Sequence, residues 1–158
     1  DLEQDWIDKG GFLRIEDLRN HRTTIEDAVT VDYKGYTVAK CNTWTQGPML
    51  LQALRLVEGF DLKGMGHNSA DCIHVITEAL KLAMADRDTY YGDPEFVDVP
   101  MSLLLSDAYT ARRQPLIDLK KASREARPGD PNTMTAVKEG GVFWRGRKAG
   151  GEKKRRGV

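Results

Sequence analysis

The feature that most constrains the fold is a long helical pattern of apolar residues in the middle of the chain. Two neighbouring stripes, each spaced by three or four positions, hold Cys72, Ile73, Val75, Ile76, Ala79, Leu80, Leu82 and Ala83. Asn68 or Ser69 can cap the start of this helix, and the turn-forming residues 90–94 end it. Because the apolar face is wide, we expect the helix to be buried against a sheet or between two neighbouring helices.

The segments around the long helix predict further helices and one β-hairpin. Two strand-like runs, 28–33 and 36–41, flank a short turn at Lys34-Gly35 and predict the hairpin. Helices are predicted over 15–20, from Pro48 to about Phe60, and over 102–113. In the last of these, Leu103, Leu104, Leu105 and Tyr109 are expected to face inward. The fold class is therefore α+β, mostly helices plus a β-hairpin, and we expect so small a sheet to need strands from elsewhere.

Charge and glycine content divide the chain into two parts. The 158 residues carry 24 basic and 24 acidic side chains, but residues 132–158 carry a net charge of +6 and six glycines. We therefore predict a folded body over 1–127 and a mobile Gly/Lys/Arg-rich tail over 128–158. We interpret the basic run 153–156 as solvated tail rather than as a nuclear signal or a phosphate-binding patch. Overall neutrality argues against nucleic acid or a membrane as a partner, and no apolar run in the sequence is long enough for a membrane span.

Two pairs of polar residues on the long helix are candidates for chemistry. His74 and Glu78 lie four residues apart and share a face, which is how a helical metal site begins. No third ligand is close in sequence, so we interpret them as a structural hydrogen-bonded pair. Asp86-Arg87 could be a catalytic acid beside a cation, but such a pair more often fixes a helix end to its neighbour.

The remaining candidates are weaker. Cys41 and Cys72 lie in apolar patterns and are expected in the core. The sequence contains neither a Gly-x-Ser-x-Gly nucleophile motif nor a glycine-rich nucleotide loop. From the residues alone we therefore expect no catalytic residue, no cofactor-binding residue and no metal ligand in this chain.

Five blocks of sequence in a fixed order carry a family resemblance. They are Gly10-Gly11-Phe12-Leu13 with Glu16-Asp17-Leu18; the run 45–54; the run 56–62; His74, Glu78-Ala79, Lys81-Leu82-Ala83 and Ala85-Asp86-Arg87 on the long helix; and Tyr91-Gly92-Asp93-Pro94 with Val97, Val99-Pro100 and Leu104-Leu105-Ser106. The series resembles the γ-glutamyltranspeptidases from about Gly10 to Pro131. Arg14 and the segment 42–46 depart from the usual family pattern. Because related acylases use the same scaffold, the acyl donor stays open.

The resemblance implies part of an Ntn-hydrolase αββα sandwich, made as one precursor that cleaves itself. In this family the new N-terminal Thr of the small subunit is the nucleophile, and its α-amine can act as the base. A γ-glutamyl group passes from glutathione or another γ-glutamyl amide, through an acyl-enzyme, to water or an amino acid. The resemblance assigns this chain to the later part of the large subunit. The catalytic Thr, the oxyanion donors and a carboxylate-binding Arg then lie outside it.

We therefore expect this chain alone to be inactive, because neither Thr133 nor Thr135 is followed by the strand pattern that accompanies the nucleophile. The small subunit is the expected partner, and the chain without it is expected to self-associate. Family sequence is expected to stop near Gly151, with the remainder foreign or diverged. The alternatives are a related acylase and a non-catalytic binding module that offers its basic tail to an acidic partner. The compartment stays open.

Overall fold

The computed structural model describes residues 2–133 and 135–136. In chain order it contains helices α1 (Leu2–Asp8) and α2 (Ile15–Asn20), strands β1 (Val29–Tyr33) and β2 (Tyr36–Lys40), helices α3 (Gly47–Val57), α4 (Leu62–Met65), α5 (Ala70–Tyr90), α6 (Met101–Leu104) and α7 (Asp107–Arg113), a 3-10 turn (Gln114–Leu116) and strands β3 (Gly129–Asp130) and β4 (Thr135–Ala136). The described chain consists mostly of helices with a β-hairpin, as predicted, and its fold is therefore α+β. Within the described ranges, no helix combines the length and the apolar character that crossing a membrane requires.

The long central helix is confirmed as α5. Of its two candidate caps, the structure uses Ser69, whose hydroxyl oxygen accepts the N–H of Cys72 at 3.1 Å. The buried residues of α5 are Cys72, Val75, Glu78, Ala79, Leu82, Ala83, Ala85 and Asp86. The prediction that the whole apolar face is buried is wrong for Ile73 and Ile76, which are 53% and 38% exposed. The reason is that α5 packs mainly against α3, and the other described elements leave these two side chains on the uncovered side.

The hydrophobic core lies between α3 and α5. It consists of Leu56, Val57, Val75, Ala79, Leu82 and Ile117, with Phe60, Leu62 and Met65 packed at its edge. Helix α3 begins with Gly47-Pro48, and proline suits the first turn because its missing N–H has no helical partner there. Burying each large aliphatic side chain of this core contributes about 1.5–3 kcal/mol, so the α3–α5 pair is the main stabilising contact of the described chain.

The predicted β-hairpin is confirmed. Strands β1 and β2 pair antiparallel in a register that places Val31 opposite Val38 and Tyr33 opposite Tyr36. Lys34 and Gly35 both have positive φ, +50° and +83°, as a two-residue turn of type I′ requires. The carboxylate of Glu58 accepts the N–H of Lys34 at 2.8 Å, so the end of α3 holds the turn.

The helix predicted over 102–113 is divided in two. Helix α6 ends with Leu105 as its C-cap, and Ser106 caps α7: its hydroxyl oxygen accepts the N–H of Tyr109 at 3.1 Å. Leu104 and Tyr109 are buried as expected, whereas Leu103 and Leu105 are only partly buried. A local capping serine therefore overrides a helical pattern that continues on both sides of it.

Several elements were not predicted, namely α1, α4 and the short β3–β4 pair. Strands β3 and β4 pair antiparallel, with Asp130 opposite Thr135. Gly129 and Pro131 are buried. The division into a body over 1–127 and a tail over 128–158 stays a prediction, and most of that tail, 137–158, lies outside the described residues.

Candidate functional site

A groove lies where the loop after β2 meets the end of α5. It is lined by Thr43, Trp44, Thr45, Gln46, Arg87, Asp88, Tyr91 and Gly92, and its volume is about 520 Å³. Ligand pockets in proteins have volumes of about 300–1,000 Å³, so the groove has room for a small molecule. One wall is the loop that leads into α3, and the other is the C-terminal end of α5, which packs against α3.

Arg87 joins the two walls of the groove. Its Nη1 donates to Gln46 Oε1 at 2.9 Å, and its Nε donates to Asp88 Oδ1 at 2.9 Å. Nη2 also donates to Asp88 Oδ1. Three of the five guanidinium N–H groups are thus used, and Asp88 Oδ2 has no bond among these contacts. The groove therefore presents one cation and one anion side by side.

The sequence predicts that Asp86 and Arg87 fix the end of α5 to a neighbour. Each residue does so through a different neighbour. Successive helical residues point about 100° apart, so the two side chains reach different neighbours. Arg87 contacts Gln46, at the start of α3, whereas Asp86 points into the interior.

Among the residues that the structure describes, two hydroxyl groups of the groove lining are buried and find no hydrogen-bond partner. They belong to Thr43, which is 6% exposed, and to Tyr91. Burial raises the pKa of Tyr91, and the nearby Asp86 carboxylate adds to the rise, so this phenol remains a proton donor at neutral pH. A buried hydroxyl without a partner costs about 1–3 kcal/mol. Both oxygens are inaccessible to solvent, so a molecule in the groove could not reach them.

The loop 42–46 is held in shape by its own hydrogen bonds. Thr45 Oγ1 accepts the N–H of Gly47 at 3.0 Å and donates to the Asn42 carbonyl at 3.0 Å. A Cβ at position 47 would lie 2.6 Å from the carbonyl oxygen of Cys41, so only glycine fits. Trp44 is 59% exposed and its indole N–H donates to Glu26.

A buried ionic cluster around Asp86 lies behind the end of α5. The Asp86 carboxylate accepts hydrogen bonds from Gln52 Nε2, the Tyr109 hydroxyl at 3.0 Å, Arg113 Nη2 at 3.1 Å and the Gly129 N–H at 2.8 Å. Burial raises the pKa of Asp86, although the charge of Arg113 and these hydrogen bonds oppose the rise. The cluster joins α3, α5, α7 and β3, and because four donors saturate its carboxylate, Asp86 is a structural anchor rather than an acid poised for a substrate.

A second buried carboxylate, Glu78, is held by two cations. Lys81 donates to Glu78 Oε1, Arg127 Nη2 lies 3.1 Å from Glu78 Oε2, and the Ser123 N–H contacts both oxygens at 3.3 Å. Burial alone raises the pKa of Glu78, but the hydrogen bonds from Lys81 and Ser123 and the charges of Lys81 and Arg127 outweigh it and leave the pKa below its usual value. Glu78 therefore fastens the segment 123–127 to α5.

The predicted hydrogen-bonded pair of His74 and Glu78 is wrong. His74 Nε2 lies 2.7 Å from the carbonyl oxygen of Asp118, an acceptor, so Nε2 carries the proton. Cys72 is buried as expected, but Cys41 is exposed at the end of β2, where the strand stands at the surface. Within the part of the chain that the structure describes, no three His, Cys, Asp or Glu side chains are grouped so that they could hold a metal ion.

The groove was missed by sequence reasoning. Gln46 and Arg87 are 41 residues apart, and Thr43 carries no motif that marks an unpaired hydroxyl. The cluster around Asp86 was missed for the same reason, since its partners lie 23 to 43 residues away along the chain. The nearest sequence signal was Gly47-Pro48, which fixes the start of α3 and thereby places Gln46.

Comparison with known proteins gives one consistent result. Residues 1–144 match the family model described as gamma-glutamyltranspeptidase, a longer match than the span from Gly10 to Pro131 recognised in the sequence. The glutathione hydrolase proenzyme of Escherichia coli K12 is 37% identical over 131 residues, which cover 81% of this chain and 23% of that protein. The chain thus spans about a quarter of the length of this relative.

Solved structures agree. The crystal structure of Helicobacter pylori gamma-glutamyltranspeptidase superposes with a TM-score of 0.73 and 31% identity, over 78% of this chain and 36% of that one. The cephalosporin acylase from Bacillus halodurans superposes with a TM-score of 0.68 and 32% identity, over 82% of this chain and 24% of that one.

Proposed function

Because the chain belongs to the γ-glutamyltranspeptidase family, we propose that it is a scaffold portion of a γ-glutamyltransferase or glutathione hydrolase. The resemblance recognised in the sequence is confirmed, and so is the fold class, α+β and part of an Ntn-hydrolase sandwich. The observation that carries the proposal is the shared sequence and fold with glutathione hydrolases over about four-fifths of the chain.

In the proposed enzyme this chain contributes rigidity rather than the reacting groups. Amide acyl transfer needs a nucleophile, a base for it and donors for the oxyanion. Among the described residues the two most buried carboxylates, Asp86 and Glu78, are both saturated by hydrogen bonds within the chain. Each fixes a segment against α5, which supports a scaffold role. The nucleophile in this proposal is the N-terminal Thr of a small subunit outside this chain.

The small subunit is the proposed partner, and glutathione or another γ-glutamyl amide is the proposed substrate. The Escherichia coli relative is a proenzyme, which supports a product cut into two chains. Exposed apolar side chains on α5, Ile73, Ile76 and Met84, support a covering partner or, in its absence, self-association. We propose no nucleic acid, membrane, cofactor or metal ion as a partner of this chain.

The test is release of 4-nitroaniline from γ-glutamyl-4-nitroanilide. The purified 158-residue chain is expected to show only background turnover, as are its Thr133→Ala and Thr135→Ala variants. Supplying the earlier part of the large subunit together with a small subunit that begins with Thr should restore turnover, and replacing that Thr by Ala should remove it. Turnover by the chain alone that either threonine variant abolishes would refute the placement of the nucleophile.

A related acylase is the second candidate, favoured by the likeness to the Bacillus halodurans cephalosporin acylase. The two differ in the acyl group that they accept. The same reconstituted protein is therefore assayed with γ-glutamyl- and glutaryl-4-nitroanilide, which differ only in the α-amino group of the donor. Faster turnover of the γ-glutamyl substrate supports the transferase or hydrolase, and faster turnover of the glutaryl substrate supports the acylase.

A further inference from the structure

We propose that Asp86, Tyr90 and Arg113 position the segment 127–130 for self-cleavage of the precursor. They are then positioning residues of the maturation step rather than of turnover. This inference rests on the proposed function, in which the large subunit precedes the small one and the new N-terminal Thr is the nucleophile. The segment 127–130 belongs to the last part of the chain that the structure describes, and the residues after it lead toward that Thr.

The end of α5 holds both backbone groups of Gly129. Its N–H donates to Asp86 Oδ1 at 2.8 Å, and its carbonyl oxygen accepts the Tyr90 hydroxyl at 2.7 Å. Two residues earlier, the carbonyl oxygen of Arg127 accepts Nη2 of Arg113, which also lies 3.1 Å from Asp86 Oδ1. Three backbone groups within three residues are therefore fixed by side chains of α5 and α7.

Close packing also restricts the segment. A Cβ at position 129 would lie 2.3 Å from the Tyr109 hydroxyl oxygen and 3.0 Å from Arg113 Cδ, so the backbone of Gly129 lies directly against α7. The side chain of Arg127 is held as well, with Nη2 3.1 Å from Glu78 Oε2. The segment is thus fixed by its backbone, by its packing and by an ion pair.

The chain turns directly after this segment. Asp130 Oδ1 accepts the N–H of Asn132 at 2.9 Å and that of Thr133 at 3.4 Å, and Asp130 lies opposite Thr135 in the β3–β4 pair. A carboxylate that accepts the N–H two residues later forms an Asx turn, which fixes the local backbone. Asp130 therefore sets the direction in which the chain leaves the anchored segment.

Self-cleavage depends on the position of one carbonyl group. The Thr hydroxyl oxygen adds to the carbonyl carbon of the preceding peptide bond, the C–N bond breaks, and the nitrogen takes up the proton that the hydroxyl loses. Water then hydrolyses the resulting ester to a carboxylate on the large subunit and a free Thr hydroxyl. The reacting atoms must lie about 3–3.5 Å apart, and a displacement of about 1 Å can cost about 10²-fold in rate. An anchored segment before the cleaved bond limits such displacement, and this constraint ends once the bond is cut.

The test is the rate of self-cleavage of the complete precursor, made by cell-free translation and followed by gel electrophoresis. Tyr90→Phe removes the hydroxyl that holds Gly129 and is expected to slow cleavage by about tenfold or more. Tyr91→Phe is the matched control, because the Tyr91 hydroxyl finds no hydrogen-bond partner among the described residues. Its cleavage rate should stay within about twofold of the original.

A second pair of variants tests the turn. Asp130→Ala removes the acceptor for the N–H groups of Asn132 and Thr133 and should also slow cleavage by about tenfold. Asp130→Asn keeps an acceptor oxygen at the same place and should restore cleavage to near the original rate. Circular dichroism checks that each variant is folded.

Turnover after cleavage separates positioning from general stability. Each variant is left until cleavage is complete and is then assayed with γ-glutamyl-4-nitroanilide. Because the anchored segment no longer acts on the reacting atoms, kcat and KM should equal those of the unaltered enzyme. A fall in kcat that parallels the slower cleavage would indicate a general structural role and overturn the proposal.

The proposal is also overturned if Tyr90→Phe or Asp130→Ala cleaves at the original rate, or if Tyr91→Phe slows cleavage as much as Tyr90→Phe. An active enzyme whose maturation none of these variants slows would refute the positioning role and leave the proposed function intact. A precursor that cleaves but yields no γ-glutamyl turnover would refute the proposed function, and the cleavage rates of the variants would still decide the positioning role.

Discussion

Replacing Asp86 by alanine should be among the most destabilising single changes in the described chain. Arg113 is 3% exposed, and its ion pair with Asp86 joins α7 to α5. Without the carboxylate this guanidinium would be a buried charge with no counter-ion, which costs about 3–5 kcal/mol. The Gly129 N–H and the Tyr109 hydroxyl would lose their acceptor as well.

The net loss is expected to stay near about 3–5 kcal/mol rather than the larger sum of these effects. Burial raises the pKa of Asp86, which shows that keeping its charge in the interior already has a cost that alanine removes. Water entering the space left by the side chain would satisfy part of the orphaned donors.

Urea denaturation followed by circular dichroism measures the free energy of unfolding for Asp86→Ala, Arg113→Met and the double variant. The double variant should lose less than the sum of the single losses, by about 0.5–3 kcal/mol, because it leaves no unpaired charge. Asp5→Ala is the matched control: its ion pair with Lys9 is exposed on both sides, so a change below about 0.5 kcal/mol is expected.

Two results would refute the reasoning. One is an Asp86→Ala loss no larger than that of the Asp5 control. The other is strict additivity in the double variant, which would mean that Asp86 and Arg113 stabilise the chain independently.

Three further predictions concern pH, packing and capping. The pKa of Glu78 is lowered on folding, so its contribution to stability is present above the usual glutamate pKa of 4.5 and lost as pH falls through the folded value; Glu78→Gln should flatten the acid side of the stability profile, and an unchanged profile would contradict this. Gly129→Ala should lower stability by about 1–3 kcal/mol, since the new Cβ would lie 2.3 Å from the Tyr109 hydroxyl; an unchanged melting temperature would exclude that clash. Ser69→Ala should cost about 1 kcal/mol in urea denaturation by removing the cap of α5, whereas Ser69→Asp should retain most of it; equal losses in both would show that the cap is not what matters.

Short-range patterns in the sequence were enough to predict most of the regular elements. The long helix with a cap at Asn68 or Ser69, the hairpin around Lys34-Gly35 and the helix that begins at Gly47-Pro48 all follow from side chains within four residues of each other. The ordered blocks of sequence were likewise enough to recognise the family. The division of the helix over 102–113 was missed because the capping bond of Ser106 competes with an apolar pattern that does not change there.

The tertiary structure alone decided which polar groups meet. Asp86 finds Gly129 across 43 residues, and Arg87 finds Gln46 across 41, because the packing of α3 on α5 brings those segments together. It also decided that Ile73 is exposed although Cys72 and Val75 on the same helix are buried. A sequence pattern fixes which face of a helix is apolar, because that depends on residues one turn apart. The element that covers this face, and the groups that donate hydrogen bonds to a buried carboxylate, come from segments far apart in the chain. Only folding brings those segments together.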